Sequence, residues 1–189
     1  SASLFGMSTV LAALLERQRS EQGCHVEVAL ADSVMPLMVF SLVEAQQNGA
    51  GMPRGEALLN GGAARYRTYQ TRDNKTVALG AVEPKFWVAF CTAADHPEWI
   101  ERMNDPLPQL ELQRELESYF SGLDEAECQQ RFGEVDCCFN VVNNLAYALS
   151  SEHIQARNLV FQRDGVMQAL CPAYVDGKPP APRQKFRSM

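Results

Sequence analysis

Residues 48–62 contain five glycines and one proline. Glycine gives up the most backbone freedom on ordering and proline carries no N–H, so this stretch reads as a connection and not as a regular element. It marks a shift in composition. Before it, apolar residues recur at helical spacing. After it, β-prone runs alternate with turn residues.

On the early side, Leu4, Met7, Leu11 and Leu14 predict an amphipathic helix over residues 3–19, with Ser1 or Ser3 to cap it, Arg17 and Arg19 at its negative end and Gly23 to close it. Cys24 to Leu30 alternates and predicts a strand with Val26, Val28 and Leu30 on one face. Asp32 or Ser33 is then expected to cap a second helix through about Gln47. Its residues are apolar nearly all round, from Val34 to Val43, which predicts burial between other elements. On the later side, Tyr66–Thr71 and Thr76–Val82 flank Arg72-Asp73-Asn74-Lys75 and predict a hairpin. Pro84 suits the first helical position of a segment carrying Phe86, Trp87 and Phe90. Helices are expected over Leu110–Phe120 and Asp124–Phe132, the latter from a D-x-x-E capping arrangement. A strand at Val135–Val142, a helical region from Asn143 or Asn144 to about Arg157, and a hairpin around Arg163-Asp164-Gly165 complete the series. The tail with Pro179, Pro180 and Pro182 reads as extended, and Lys178, Arg183, Lys185 and Arg187 make it mildly basic. This order predicts an α/β fold with an α+β insertion.

Composition sets the outer limits. The chain has 189 residues, 46% of them hydrophobic, with 17 basic and 23 acidic side chains. That apolar fraction excludes dominant disorder. The acidic balance argues against nucleic acid as a partner, and no apolar run approaches the roughly 18 residues a membrane span needs. Six cysteines without a C-x-x-C pair fit neither a zinc site nor a disulfide framework, so reduced, mostly buried thiols and a cytoplasmic location are expected, with no metal. Ser1 leads to the expectation that the chain begins inside a longer reading frame or after a removed tag.

No nucleophile elbow, dinucleotide fingerprint or P-loop is present. His25, His96 and His153 lack partner spacing and read as surface or supporting residues. The chemically loaded segment is Gly80-Ala81-Val82-Glu83-Pro84-Lys85-Phe86-Trp87. A carboxylate between strand end and helix start sits by unpaired N–H groups and a positive dipole end, which favour its ionised form. Glu83 is thus a candidate general base, or simply a helix cap. Gly61-Gly62 reads as a hinge before a strand.

Asn60-Gly61-Gly62, Tyr66, Tyr69-Gln70-Thr71-Arg72-Asp73 and the block from Ala78 to Trp87 together resemble the segment linking the domains of family III CoA-transferases. That group, also called the carnitine-dehydratase/bile-acid-inducible family, includes formyl-CoA transferase and α-methylacyl-CoA racemase. Leu4–Arg19 with His25–Asp32, Val135–Cys138 and Glu152–Arg157 resemble further family stretches. The resemblance implies the C-terminal part of a Rossmann-like large domain (1–55 and 131–189) plus a small α+β domain (60–130), in two chains wound through each other. It implies coenzyme A as substrate, Glu83 as the matching catalytic glutamate of the racemases, and Gly61, Gly62 and Tyr66 as substrate contacts. It also places the transferases' catalytic aspartate, and most CoA contacts, before the first residue of this chain. Asn74 stands where the family's turn usually has glycine, and Asn140 near its threonine-proline step.

Three expectations follow. The chain is part of a CoA-transferase, truncated and inactive alone; or part of a racemase-like isomerase with Glu83 as base; or a non-catalytic interaction protein of the same fold. Each calls for a homodimer or a partner chain supplying the missing half.

Overall fold

The computed structural model describes residues 1–181, so the expected basic tail residues Arg183, Lys185 and Arg187, with Pro182, lie outside the described residues. Helix α1 (Ala2–Ser20) leads into an irregular stretch, then a tight helical turn at Asp32–Met38 that continues as α2 (Val39–Asn48). Strands β1 (Tyr66–Gln70) and β2 (Thr76–Gly80) follow, then α3 (Pro84–Ala94), a short helical segment at Pro97–Asn104, α4 (Leu110–Ser121) and α5 (Glu125–Phe132). Strand β3 (Phe139–Val141), helices α6 (Leu145–Ser150) and α7 (Glu152–Arg157), and the hairpin β4 (Val160–Arg163)–β5 (Val166–Ala169) end the series. The fold is mixed α/β with two small antiparallel sheets, β1–β2–β3 and β4–β5.

The local signals behave as their chemistry dictates. Asp124 accepts from the Glu127 N–H at 2.9 Å while the Glu127 carboxylate accepts from the Asp124 N–H at 2.8 Å, closing the expected capping box. Pro84 opens α3, and Asn144 caps α6 through the Tyr147 N–H at 2.9 Å. Asn74 sits at φ 59° in the β1–β2 turn, a conformation asparagine accepts without glycine. Ser151 splits the expected single helix into α6 and α7, because its extended backbone ends one and its side chain caps the other.

The core lies after residue 63. Trp87, Phe90, Trp99, Phe120 and Phe132 pack with Tyr69, Val77, Leu79, Leu112 and Leu116 beneath one face of the three-stranded sheet. Phe90 is its centre, stacked on Trp87 at 5.5 Å, Phe132 at 5.1 Å and Phe120 at 6.0 Å. Such offset ring pairs add stabilisation beyond their buried area. The Trp87 indole N–H donates to the Trp99 carbonyl at 3.1 Å, so the polar edge of the deepest side chain is satisfied.

The early part departs from expectation in three ways. Cys24–Leu30 is irregular and not a strand. Strand backbone groups need a neighbour, and none of the described strands runs beside this segment. The second helix is exposed and not buried: Leu37 and Phe40 are 63% and 65% accessible, and the aromatic core of the later residues does not include it. Its start is uncapped, since the Ser33 hydroxyl donates back to the Ala29 carbonyl, and α1 is closed by Glu21 at φ 59° in place of Gly23. The thiols are also less buried than expected: Cys91, Cys128 and Cys137 are buried, but Cys24, Cys138 and Cys171 are exposed.

Candidate functional site

The glycine pair ends a single wide turn at Leu58–Gly62 that delivers the chain to β1. Gly61 takes φ +112°, and a Cβ on Gly62 would lie 2.1 Å from the Glu56 carbonyl oxygen, so both positions require glycine for different reasons. The turn is held from α4. Buried Gln113 donates to the Gly61 carbonyl at 3.1 Å and the Gly62 carbonyl at 2.7 Å, and buried Gln109 accepts the Ala64 N–H at 3.0 Å. Gln113 in turn accepts from the Arg67 guanidinium.

These residues line an open groove of about 620 Å³, with Gly61, Asn60 and Leu59 on one wall, Tyr66, Arg67 and Thr68 on another, and Gln113 between. Gly61 and Tyr66 therefore lie on one groove, whereas Gly62 is buried and does not line it. Arg67 is the cationic side chain of the groove, and it is engaged by Gln113 and by Glu117 at 3.3 Å.

Glu83 does not line this groove. It stands at the same end of the sheet, because the β1–β2 register sets Tyr66 opposite Gly80, three residues earlier. Its backbone is extended, its carbonyl accepts the Phe86 and Trp87 N–H groups at 3.1 and 3.2 Å, and its carboxylate makes no capping bond. The side chain is exposed. Arg65 anchors the approach: its Nε donates to the Val82 carbonyl at 3.4 Å and its Nη1 to the Met103 carbonyl, fixing the strand–helix corner. Burial pulls the Arg65 guanidinium below its ordinary pKa.

Cys138, at φ 54°, packs its Cβ over Gly80 and its carbonyl accepts the Gly80 N–H at 2.9 Å. Its thiol, although exposed, is pushed up by partial desolvation, with smaller contributions from the negative charges of Glu83 and Asp136. This corner holds two acids, one thiol and Lys85, whose ammonium lies 4.3 Å from the Phe86 ring centre. The histidines stand apart from it. His25 and His153 are exposed, and His96 stacks on Trp99 at 4.0 Å while pairing with Glu98. Among the described residues no group of three or more His, Cys, Asp or Glu is arranged to hold a metal.

Sequence reasoning missed Gln109, Gln113 and Arg65. These contacts join side chains to backbone atoms 17 to 52 residues away, which no local pattern announces.

Comparison with known proteins now bears on this arrangement. The family model of CoA-transferase family III matches residues 1–185. The chain is 29% identical over 150 residues to a mouse α-methylacyl-CoA racemase and 25% identical over 155 residues to the human one, covering 78% of this chain in each case. It spans 39% of the length of each of those two relatives. Among solved structures, a CAIB/BAIF family protein from Brucella suis superposes with a TM-score of 0.73 at 17% identity, over 95% of this chain and 49% of that one. The Rv3272 protein of Mycobacterium tuberculosis gives 0.66 at 19% identity, over 90% of this chain and 46% of that one. Both likenesses concern the fold. Among the described residues, no helix is long and apolar enough to cross a membrane.

Proposed function

The chain belongs to CoA-transferase family III, and from that premise we propose that it supplies part of a site acting on acyl-CoA thioesters, with Glu83 moving a proton at the α-carbon of the acyl group. The observation that carries this reading is the Glu83 carboxylate itself. It is exposed beyond the end of β2, bound by no cap, and oriented by a backbone that Arg65 pins. In the racemase reading, Glu83 takes the α-proton, the C–H electron pair delocalises into the thioester carbonyl, and a second acid returns a proton to the opposite face. That second group comes from outside these residues. Gly61 and Tyr66 contact the substrate at the neighbouring groove, with Gly62 as the buried pivot behind them.

We assign residues 60–130 to a small α+β domain, whose core and sheet also take in Phe132, Cys137 and strand β3, and 1–55 with the rest of the described residues after 131 to a larger Rossmann-like one. The support is the exposed apolar surface of α1 and α2, which has the character of half a core. A second copy or a partner chain covers it. The free thiols suit a cytoplasmic setting. A second reading, CoA transfer between an acyl-CoA and a carboxylic acid, rests on the family's description and uses a nucleophile that these residues do not supply.

The chain alone is expected to show no turnover with acyl-CoA donors and carboxylate acceptors. Assembled with whatever covers its apolar helices, it is expected to exchange the α-hydrogen of a 2-methylacyl-CoA for deuterium in D₂O. Glu83→Gln should slow that exchange by about 10²-fold or more, leaving thermal unfolding unchanged. Exchange that survives the substitution refutes the role of Glu83. Thioester exchange between acyl-CoA and free acids, indifferent to Glu83→Gln, favours transfer.

A further inference from the structure

The groove beside the Gly61–Gly62 turn is polar on almost every wall. Among the described residues that line it, Leu59 is the one aliphatic residue and Arg67 the one charged residue. Several of its polar groups are already spent within the chain. Asn60 accepts the Ala57 N–H at 2.8 Å and donates to the Pro53 carbonyl at 2.6 Å. Gln113 gives its amide to the Gly61 and Gly62 carbonyls and its oxygen to Arg67. What is left over is of one character. The Tyr66 and Thr68 hydroxyls make no hydrogen bond among the described residues. Arg67 has five N–H donors, of which only part is directed at Gln113 and Glu117. The groove therefore offers donors and a positive charge to whatever enters it. The guanidinium is also set in place beforehand: Gln113 holds one nitrogen, Glu117 lies 3.3 Å from another, and the Tyr69 ring centre is 5.6 Å from its carbon. Little side-chain freedom remains to be lost when it takes an anion. Arg67 stands, moreover, where this groove meets a second of about 490 Å³ along the Glu117 and Ser118 flank of α4.

We propose that Arg67 selects an acyl group carrying a free carboxylate, so that the thioester handled beside Glu83 is that of a dicarboxylic acid, one carboxyl bonded to sulfur and the other held by Arg67. This deepens the acyl-CoA reading and rests on it for the thioester. A purely hydrocarbon acyl chain would meet Leu59 alone, and would strip water from Arg67 and the two hydroxyls without replacing its hydrogen bonds. A carboxylate restores them, because its two oxygens match the fork of a guanidinium. Charge separates it from the phosphates of coenzyme A, which share the same oxyanion chemistry. Glu117 already offsets much of the Arg67 charge. A carboxylate adds a single negative charge beside that pair, whereas a phosphate monoester adds about 1.5 to 2. The singly charged group is the better match.

An NMR titration of the full chain with N-acetylcysteamine thioesters tests this without coenzyme A and without turnover. The glutaryl thioester, which ends in a carboxylate, should shift the Arg67 Nε–H and the Gly61 and Thr68 amides with saturation in the millimolar range. The pentanoyl thioester, of equal chain length with no carboxylate, should bind on the order of tenfold more weakly. Arg67→Met should erase the difference between the two. Glu117→Gln removes the competing carboxylate and leaves the turn contacts of Gln113 in place. It should tighten the glutaryl thioester about threefold, which a merely structural Arg67 would not do. Inorganic phosphate and adenosine diphosphate are the phosphate probes, and should shift the same signals less than the glutaryl thioester. Equal binding of the two thioesters, no saturable shift from either, larger shifts from a phosphate probe, or glutaryl binding indifferent to Glu117→Gln overturns the proposal. A carboxylate preference that holds while α-hydrogen exchange is indifferent to Glu83→Gln refutes the role of Glu83 and leaves that of Arg67 standing.

Discussion

Gly62 shows how much a single position can decide. Its α-carbon faces the Glu56 carbonyl so closely that a methyl group would sit 2.1 Å from that oxygen, and backbone cannot yield as a side-chain tip can. Gly62→Ala should destabilise the fold by about 2 kcal/mol or more in urea titration, whereas Gly23→Ala, with nothing within 4 Å, should be close to neutral. Glu115 gives a residue-scale prediction in pH. The Arg102 guanidinium, 2.6 Å away, and the Trp99 indole N–H hold its carboxyl below the ordinary glutamate range. A folded-state value below the unfolded one contributes stability that is complete above the unfolded pKa of about 4.3 and is lost as pH falls through the folded value. Glu115→Gln should flatten the acid side of the stability curve below about pH 5, read by thermal melts across pH. At this scale, legibility followed locality. Pro84, Asn74 and the Asp124–Glu127 pair act within a few residues of themselves, so their roles could be read directly. Glu83 stood out by its place between strand and helix, but Gln113 did not, because its partners are carbonyls 51 and 52 residues away.

Elements form where local signals and packing agree. Helix α5 has a capping box at its start, and Arg72 reaches across to both members of that box at 2.8 and 3.0 Å. Asp124→Ala therefore removes the cap and one arm of this bridge together. A loss of about 1–2 kcal/mol is expected, seen as a lower urea midpoint with unchanged slope. Cys24–Leu30 is the opposite case. Alternation describes how a strand distributes its side chains, but says nothing of which neighbour takes its backbone hydrogen bonds. Without that neighbour the segment stays irregular. The second helix fails in the same way: apolar character all round announces a need for burial and does not supply the surface that satisfies it.

Across the whole molecule, order is unevenly supported. The aromatic core between residues 64 and 139 excludes water almost completely, while α1, α2 and the last hairpin have no comparable interior. Trp87→Ala removes the largest fully buried side chain and should cost about 3–5 kcal/mol. Both tryptophans of the chain, Trp87 and Trp99, are buried in that one core. Intrinsic indole emission is consequently a reporter of the middle of the protein alone. A fluorescence-detected melt would follow loss of the central packing and stay silent while the first two helices frayed, so it should diverge from far-ultraviolet dichroism wherever those helices melt first.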